Sequence, residues 1–311
     1  MVSGLTTFIV VSWNTAEMTL RCVQSIIDKE HSDHEIIVVD NHSSDDTCRL
    51  LRERYPHVRL IENESNEGYA RANNKGIKAA KGDLIILMNS DAALISPEPV
   101  RQIQEYLENE PNCGIVGARQ VFPDGRLQSL GREFISVKSL IKSQILFSSA
   151  PVWRSGKIPD HALAADYVDG AFLAIRRSVI DRIGLLNENY FMYAEDMEWC
   201  AAATAQGWTV RVLPKIEVLH EHAASSKKSF VNILVHNAVN QCRFLYKHYN
   251  MEKARQGFGI LLVGMILRIP LSVIRRNGLA RDYYLGVKKC WALLPVLSSV
   301  LSGGVFEASR H

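Results

Sequence analysis

Four short apolar runs, at 7–12, 35–40, 58–62 and 83–88, constrain the first third of the chain more than any other feature. Rich in Val and Ile and too short for helices, they read as strands, the first two and the last buried on both faces. Between the first two, the stretch 15–29 has helical spacing, with Met18, Cys22, Val23, Ile26 and Ile27 on one face. A helix is expected over 45–55, capped by Ser43 or Ser44 and halted by Pro56. Another is expected over 69–80, ending at Gly82. Strand–helix alternation with short connections predicts an α/β fold: a mostly parallel central sheet flanked by helices.

The middle is less regular. Pro123-Asp124-Gly125 reads as a turn, and 132–166 lacks a firm period, as a long loop or helical flap would. Order returns with a strand over 167–176, helices over 178–183 and 195–206, a strand over 209–213 and a long helix over 229–249.

Composition narrows the function. The chain has 311 residues, 47% hydrophobic and 22% charged, which suits a globular enzyme of one large domain or one domain with an appendage. A net charge of +3, without a basic tract interleaved with aromatics, argues against nucleic acid as a partner. Six cysteines without a C-x-x-C pair argue against a zinc ribbon or redox site and read as reduced thiols. No leader is read ahead of the first run, so the catalytic portion is expected in the cytoplasm.

In an open parallel sheet, ligands bind outside the carboxyl ends of the strands. Three predicted strands deliver polar residues there: Trp13-Asn14, Asp40-Asn41 and Asn89-Ser90-Asp91. Any one could be a cap or turn; three on one edge point to a site. Neither G-x-G-x-x-G after the first strand nor a G-x-x-x-x-G-K-[ST] loop is present. A diphosphate bound without a glycine cradle needs other neutralisation, and a hard divalent cation on a carboxylate such as Asp91 would supply it.

These segments, with Asn66-Glu67-Gly68-Tyr69-Ala70, Asn73-Asn74-Lys75-Gly76-Ile77, Val168-Asp169-Gly170-Ala171-Phe172, Phe191-Met192-Tyr193-Ala194-Glu195-Asp196 and Val218-Leu219-His220, occur in an order that resembles family 2 glycosyltransferases of GT-A fold. The resemblance covers roughly 6–250 and is nearest to a rhamnosyltransferase-like branch acting on cell-surface polysaccharides. It implies that Asp40 binds the base or ribose of a nucleotide-diphospho-sugar. It also implies that Trp13, Asn14, Asn66, Gly68, Asn74, Asn89 and Ser90 line the nucleotide-sugar pocket, and that Asp169, Gly170 and Ala171 line the sugar and acceptor pocket. Asp91 matches the last aspartate of a D-x-D motif, a ligand of Mg2+ or Mn2+, and His220 matches a histidine completing that metal site. His222, two residues on, would share a strand face with it and is the alternative. Asp196 matches the catalytic base, with Glu195 beside it as acceptor-positioning residue or helix cap. One departure stands out: Asn89, uncharged, occupies the first position of the D-x-D. The Q-x-x-R-W motif of processive synthases is absent, which points to one sugar per encounter.

A glycosyltransferase domain is therefore expected over 1–250 and a helical extension over 251–311. Within the extension, 257–274 is the most apolar stretch, interrupted by Arg268 and Pro270 and followed by Arg275-Arg276. Core, transmembrane and interfacial readings compete, and the flanking cations favour an interfacial helix at the inner membrane surface. The resemblance implies an inverting transferase that moves one sugar, L-rhamnose from dTDP-L-rhamnose, to a saccharide or polyprenyl-linked acceptor. A UDP-hexose enzyme and a non-catalytic nucleotide-sugar-binding protein of the same fold are the alternatives.

Overall fold

A computed structural model of the chain describes residues 4–148, 158–221 and 230–303. In chain order the strands are β1 Thr6–Ser12, β2 His34–Asp40, β3 Arg59–Glu62, β4 Leu84–Asn89, β5 Ala92–Leu94, β6 Cys113–Val121, β7 Leu127–Ser129, β8 Leu163–Ala165, β9 Phe172–Arg176 and β10 Thr209–His220. The helices are α1 Ala16–Lys29, α2 Thr47–Arg54, α3 Tyr69–Ala79, α4 Pro99–Asn109, α5 Val137–Leu140, α6 Arg177–Ile183, α7 Glu195–Ala205, α8 Phe230–His248, α9 Met251–Ile274, α10 Ala280–Leu293 and α11 Leu297–Ser302.

The chain divides into two compact units. The first comprises Met1–Glu133, Val152–Asn187 and Asp196–Ser225. Its sheet runs β3-β2-β1-β4-β9-β6-β10-β5, with β7 paired to β6 and β8 to β10. Along that path only β9 and β5 run against the others, so the sheet is mostly parallel as expected. Alternation sends β1 side chains to both faces. Phe8 and Val10 join a core with Leu20, Val23 and Ile26 of α1, Leu51 of α2 and Ile103 of α4. On α3, Gly76 lies so close to β1 that a Cβ would stand 2.5 Å from Ile9 Cγ2.

The apolar runs become strands within a residue or two of expectation. Three differences have physical causes. Ser43 and Ser44 do not cap α2: Asp45 accepts from the Thr47 amide, and the two serines bond elsewhere. The last strand continues past Leu213 to His220, because Pro214 falls where the β10–β6 register shifts and breaks no ladder there. The central strand β6 contains Gly114 and Gly117, which dilute its apolar signal. Gly117 is needed, since a Cβ there would lie 2.4 Å from Val168 Cγ1.

The second unit comprises Phe134–Pro151, Glu188–Glu195 and Ser226–His311. It takes in α8, which the sequence reading places ahead of the boundary at residue 250. Its core joins Leu140, Val239, Cys242 and Leu245 to Phe258, Leu262 and Met265 of α9 and Cys290 and Leu293 of α10. Polar groups on α8 hold the segment Glu188–Glu195. Asn240 Nδ2 donates to the Met192 carbonyl (2.8 Å), Arg243 donates to the Asn189 carbonyl, and His236 stacks on Phe191 at 5.2 Å.

Replacing Gly117 with Ala forces a methyl group into Val168. We expect about 1–3 kcal/mol of destabilisation, read by denaturant unfolding; an unchanged midpoint would show that β6 and the 167–171 turn are less closely packed than described.

Candidate functional site

The site begins with the ladder. β1 lies between β2 and β4, with Ser12 opposite Asp40 and Val11 opposite Asn89. The polar residues after the three strands thus emerge at one edge. β9 runs antiparallel beside β4 with Phe172 opposite Met88, which brings the Asp169–Ala171 turn beside Asn89.

Loops after β1 and β2 are laced together. The Asn14 amide donates to Ser43 Oγ (2.8 Å), Ser44 N donates to Asn14 Oδ1 (2.7 Å), and Ala16 N donates to Asp45 Oδ2 (3.0 Å). Asn14, with φ of 53°, is therefore first a tie between loops. Trp13 is exposed at the same edge. Asp40 is 2% exposed, with Oδ2 accepting from the Ser43 amide at 2.8 Å.

Asn41 builds the next loop. Its Nδ2 donates to Asn66 Oδ1 and the Gly68 carbonyl, and its Oδ1 accepts from Asn63 Nδ2 and the Glu67 amide. Asn66 Oδ1 also accepts from Gly68 N, and Gly68, at φ 84°, turns the chain into α3. Asn66 and Gly68 thus shape the loop at this edge. Asn74 is placed differently from the expectation. It is 1% exposed, and its amide exchanges two hydrogen bonds with the Leu186 backbone, 2.8 and 3.0 Å. A side chain so occupied holds the fold and does not face a ligand.

The Asn89-Ser90-Asp91 turn leads into β5, which pairs with β10 so that Ala92 lies opposite His220. This pairing brings Asp91 Oδ1 to 3.3 Å from His220 Nε2 and Asn89 Nδ2 to 3.4 Å from the same nitrogen. Ser90 Oγ accepts from Thr15 in a buried hydroxyl cluster with Ser12 and Thr19. On the far side of the imidazole, Nδ1 lies 3.0 Å from Gln128 Oε1. With Nδ1 donating to Gln128, Nε2 turns a lone pair towards a carboxylate oxygen. A nitrogen and a carboxylate oxygen so placed could share a cation, and the outer hydrogen bond is the usual orienting device for a ligand histidine. Among the described residues no three His, Cys, Asp or Glu side chains cluster as a metal cage. Two protein ligands still suit a hard cation that takes its other oxygens from phosphates and water. His222 lies outside the described residues.

The second carboxylate group sits at the Asp169–Ala171 turn. Asp169 accepts from Gln120 Nε2 and from Arg132 Nε (3.2 Å). Gly170 N donates to Asp196 Oδ2 (3.1 Å), and Met197 N donates to Asp196 Oδ1 (2.7 Å). A Cβ on Gly170 would lie 2.4 Å from the Tyr69 hydroxyl, which donates to the Gly170 carbonyl; Ala171 is buried. Burial, then the Asp169 charge, push the Asp196 carboxyl up to about 6, against the amide hydrogen bonds and Arg132 that favour its ionised form. Glu195 is buried, and Tyr193 and Ala194 before it both adopt the left-handed region, φ 72° and 69°. Such residues cost roughly 1–3 kcal/mol each and cluster at functional sites.

Gln120, Gln128, Arg132 and Tyr69 go unmarked as site residues in the sequence reading. No local pattern could mark the first three, whose partners lie 49, 92 and 37 residues away.

A family model described as Glycosyl transferase family 2 matches residues 7–184. N-acetylglucosaminyl-diphospho-decaprenol L-rhamnosyltransferase of Mycobacterium tuberculosis is 27% identical over 212 residues, 61% of this chain and 67% of that protein. Low-salt glycan biosynthesis hexosyltransferase Agl10 of Haloferax volcanii is 29% identical over 194 residues, 60% of this chain and 58% of that protein. The mannosyltransferase PcManGT from Pyrobaculum calidifontis, solved with GDP-Man and Mn2+, superposes with a TM-score of 0.57 at 15% identity, covering 96% of this chain and 85% of that one. At that identity the likeness speaks for the GT-A fold alone.

The Asp196 environment has a thermodynamic signature. A carboxyl raised above its unfolded value favours the protonated fold, so its stabilising contribution is present below about 4 and is lost as pH rises through about 6. Asp196→Asn is therefore expected to raise Tm at neutral pH, with the gain shrinking as pH falls through 6. A gain independent of pH, or a loss at neutral pH, would contradict this environment.

Proposed function

The chain belongs to glycosyl transferase family 2, and from that premise we propose that it moves one sugar, with inversion, from a nucleotide-diphospho-sugar to a saccharide or lipid-linked saccharide. The observation that carries the reading is the contrast between two carboxylates. Asp91 Oδ1 lies 3.3 Å from His220 Nε2, an oxygen–nitrogen pair that would suit a cation, whereas the Asp196 carboxyl is raised to about 6, a setting for a base.

In this reading Asp40 binds the nucleoside, and the Asn14 and Asn41 loops form the donor wall. Trp13 offers an exposed aromatic face beside them. Asp91 and His220 would hold Mg2+ or Mn2+, which offsets charge gathering on the departing diphosphate. Asn89 adds a neutral group at that position and Ser90 supports the turn. Asp196, ionised, takes the acceptor hydroxyl proton as the oxygen attacks the anomeric carbon. The bond from that carbon to the diphosphate oxygen breaks on the opposite face, and the electron pair leaves with the diphosphate. Asp169, fixed by Gln120 and Arg132, raises the basicity of Asp196, and with Gly170 and Ala171 bounds the sugar pocket. Glu195 positions the acceptor.

For the donor, dTDP-L-rhamnose is the preferred reading, supported by the name of the mycobacterial relative. A UDP-hexose is the second, favoured by the hexosyltransferase relative. A polyprenyl-linked acceptor at the inner face of the cytoplasmic membrane fits both. A non-catalytic nucleotide-sugar-binding protein would have no use for the raised carboxyl of Asp196.

Asp196→Asn should lower transfer by about 10²–10⁴-fold while donor binding, followed by calorimetry, is retained; loss of donor binding would remove Asp196 from the base role. Asp91→Asn should abolish Mn2+-dependent thermal stabilisation by the donor, and stabilisation equal to wild type would remove Asp91 from the cation site.

A further inference from the structure

Helix α9, like the stretch Ala280–Ser302 after it, is long and apolar enough to cross a membrane. Its packing argues against a span. One face is buried on α8 and α10 through Phe258, Leu261, Leu262 and Met265. The α8 partner carries Asn240, Gln241, Arg243, Lys247 and His248, which a spanning α9 would draw towards hydrocarbon. The outer face is different. After Arg255 and Gln256 in the second turn, Gly259, Val263, Ile266, Pro270 and Ile274 follow at helical spacing and are all exposed. Val263 is 46%, Ile266 44% and Ile274 75% exposed. The stripe is roughly 23 Å long at the helical rise and ends at the exposed pair Arg275-Arg276.

A second element extends this face. The segment from Val137 through the π-helical turn Ile141–Ile145 borders an open apolar trough of about 470 Å³ with Gln256, Gly259, Ile260 and Val263. Arg268, the charge inside the apolar helix, pins that segment. Its guanidinium donates to the carbonyls of Ser143 (3.3 Å), Gln144 (3.2 Å) and Gly264 (2.9 Å) and lies 4.9 Å from the Phe147 ring. Beyond the pin, Leu146 and Phe147 are 65% and 47% exposed. Residues 134–148 and 250–303 together carry ten Lys or Arg and two acids, leaving 26 basic and 31 acidic residues in the rest of the chain.

We propose that the outer face of α9 and the adjoining 137–147 segment form an in-plane docking surface for an anionic lipid bilayer. The apolar stripe and Leu146-Phe147 enter the headgroup–hydrocarbon boundary, and Lys138, Lys142, Arg275 and Arg276 meet lipid phosphates. The charge asymmetry selects an anionic surface over a second copy of this basic unit. The inference rests on the lipid-linked acceptor reading for its purpose, not for its geometry.

The test is co-sedimentation of the full chain with vesicles of phosphatidylcholine alone or mixed with phosphatidylglycerol, beside transfer to a water-soluble acceptor. Wild type should pellet with the mixed vesicles and be released by high salt. V263E/I266E and L146E/F147E should each bind at least tenfold more weakly, and R275E/R276E should lose the phosphatidylglycerol dependence. All three should keep wild-type transfer to the soluble acceptor. Equal pelleting of wild type and variants overturns the surface, as does protein released only by detergent, which would mark a span. A dimer in lipid-free solution that V263E/I266E converts to monomer overturns it in favour of self-association. Vesicle binding as expected with no transfer by wild type from any nucleotide-sugar leaves the surface standing and sinks the transferase reading.

Discussion

The site depends on the parallel placement of β1 between β2 and β4. With Ser12 held opposite Asp40 and Val11 opposite Asn89, the loops that follow reach one edge together. Both faces of these strands are buried, so a one-residue slip would send each side chain into the packing shaped for its neighbour on the other face. The remaining features are consequences. The Asn14, Ser43, Ser44 and Asp45 bonds lace two loops that are adjacent only in this register. The short β5 can reach β10 and set Asp91 beside His220 only because β4 ends where it does. The antiparallel β9 then brings the Asp169–Ala171 turn to the same edge.

Two carboxylates at this edge have contrasting surroundings. Asp91 lies against an imidazole whose far nitrogen is tied to Gln128, the arrangement on which the proposed cation site rests. Asp196 is the second residue of α7, where the Met197 amide favours its charge, yet burial and Asp169 outweigh that help. Arg132 pairs with Asp169 and fixes that side chain beside Asp196. In the proposed reading the base and the cation ligand are thereby kept apart on one sheet edge, as a displacement with a departing diphosphate requires.

Much of this was legible in the sequence, because buried parallel strands leave continuous apolar runs. β1, β2 and β4 could be read from their Val, Ile and Leu runs, and Asp40 and Asp91 followed from where those runs stop. What was hidden was non-local. β6 is interrupted by Gly114 and Gly117, and the second of these is explained only by Val168 in another segment. β10 contains Pro214, tolerated at a register shift that no local pattern announces. Asn74 sits in a motif that suggested ligand contact, and its role appears only with the Leu186 backbone, 112 residues on. The apolar C-terminal stretch allowed core, span and interface readings, and the burial of one α9 face with exposure of the other is the observation on which the proposed lipid surface rests.

The pairing of Asp91 with His220 as a cation site is the central claim. Electron spin-echo spectroscopy of Mn2+ bound with a nucleoside diphosphate tests it directly. The account predicts modulation from one imidazole nitrogen, absent from His220→Ala and retained in Asp196→Asn. Manganese bound with no nitrogen modulation, or with modulation unchanged in His220→Ala, would contradict it.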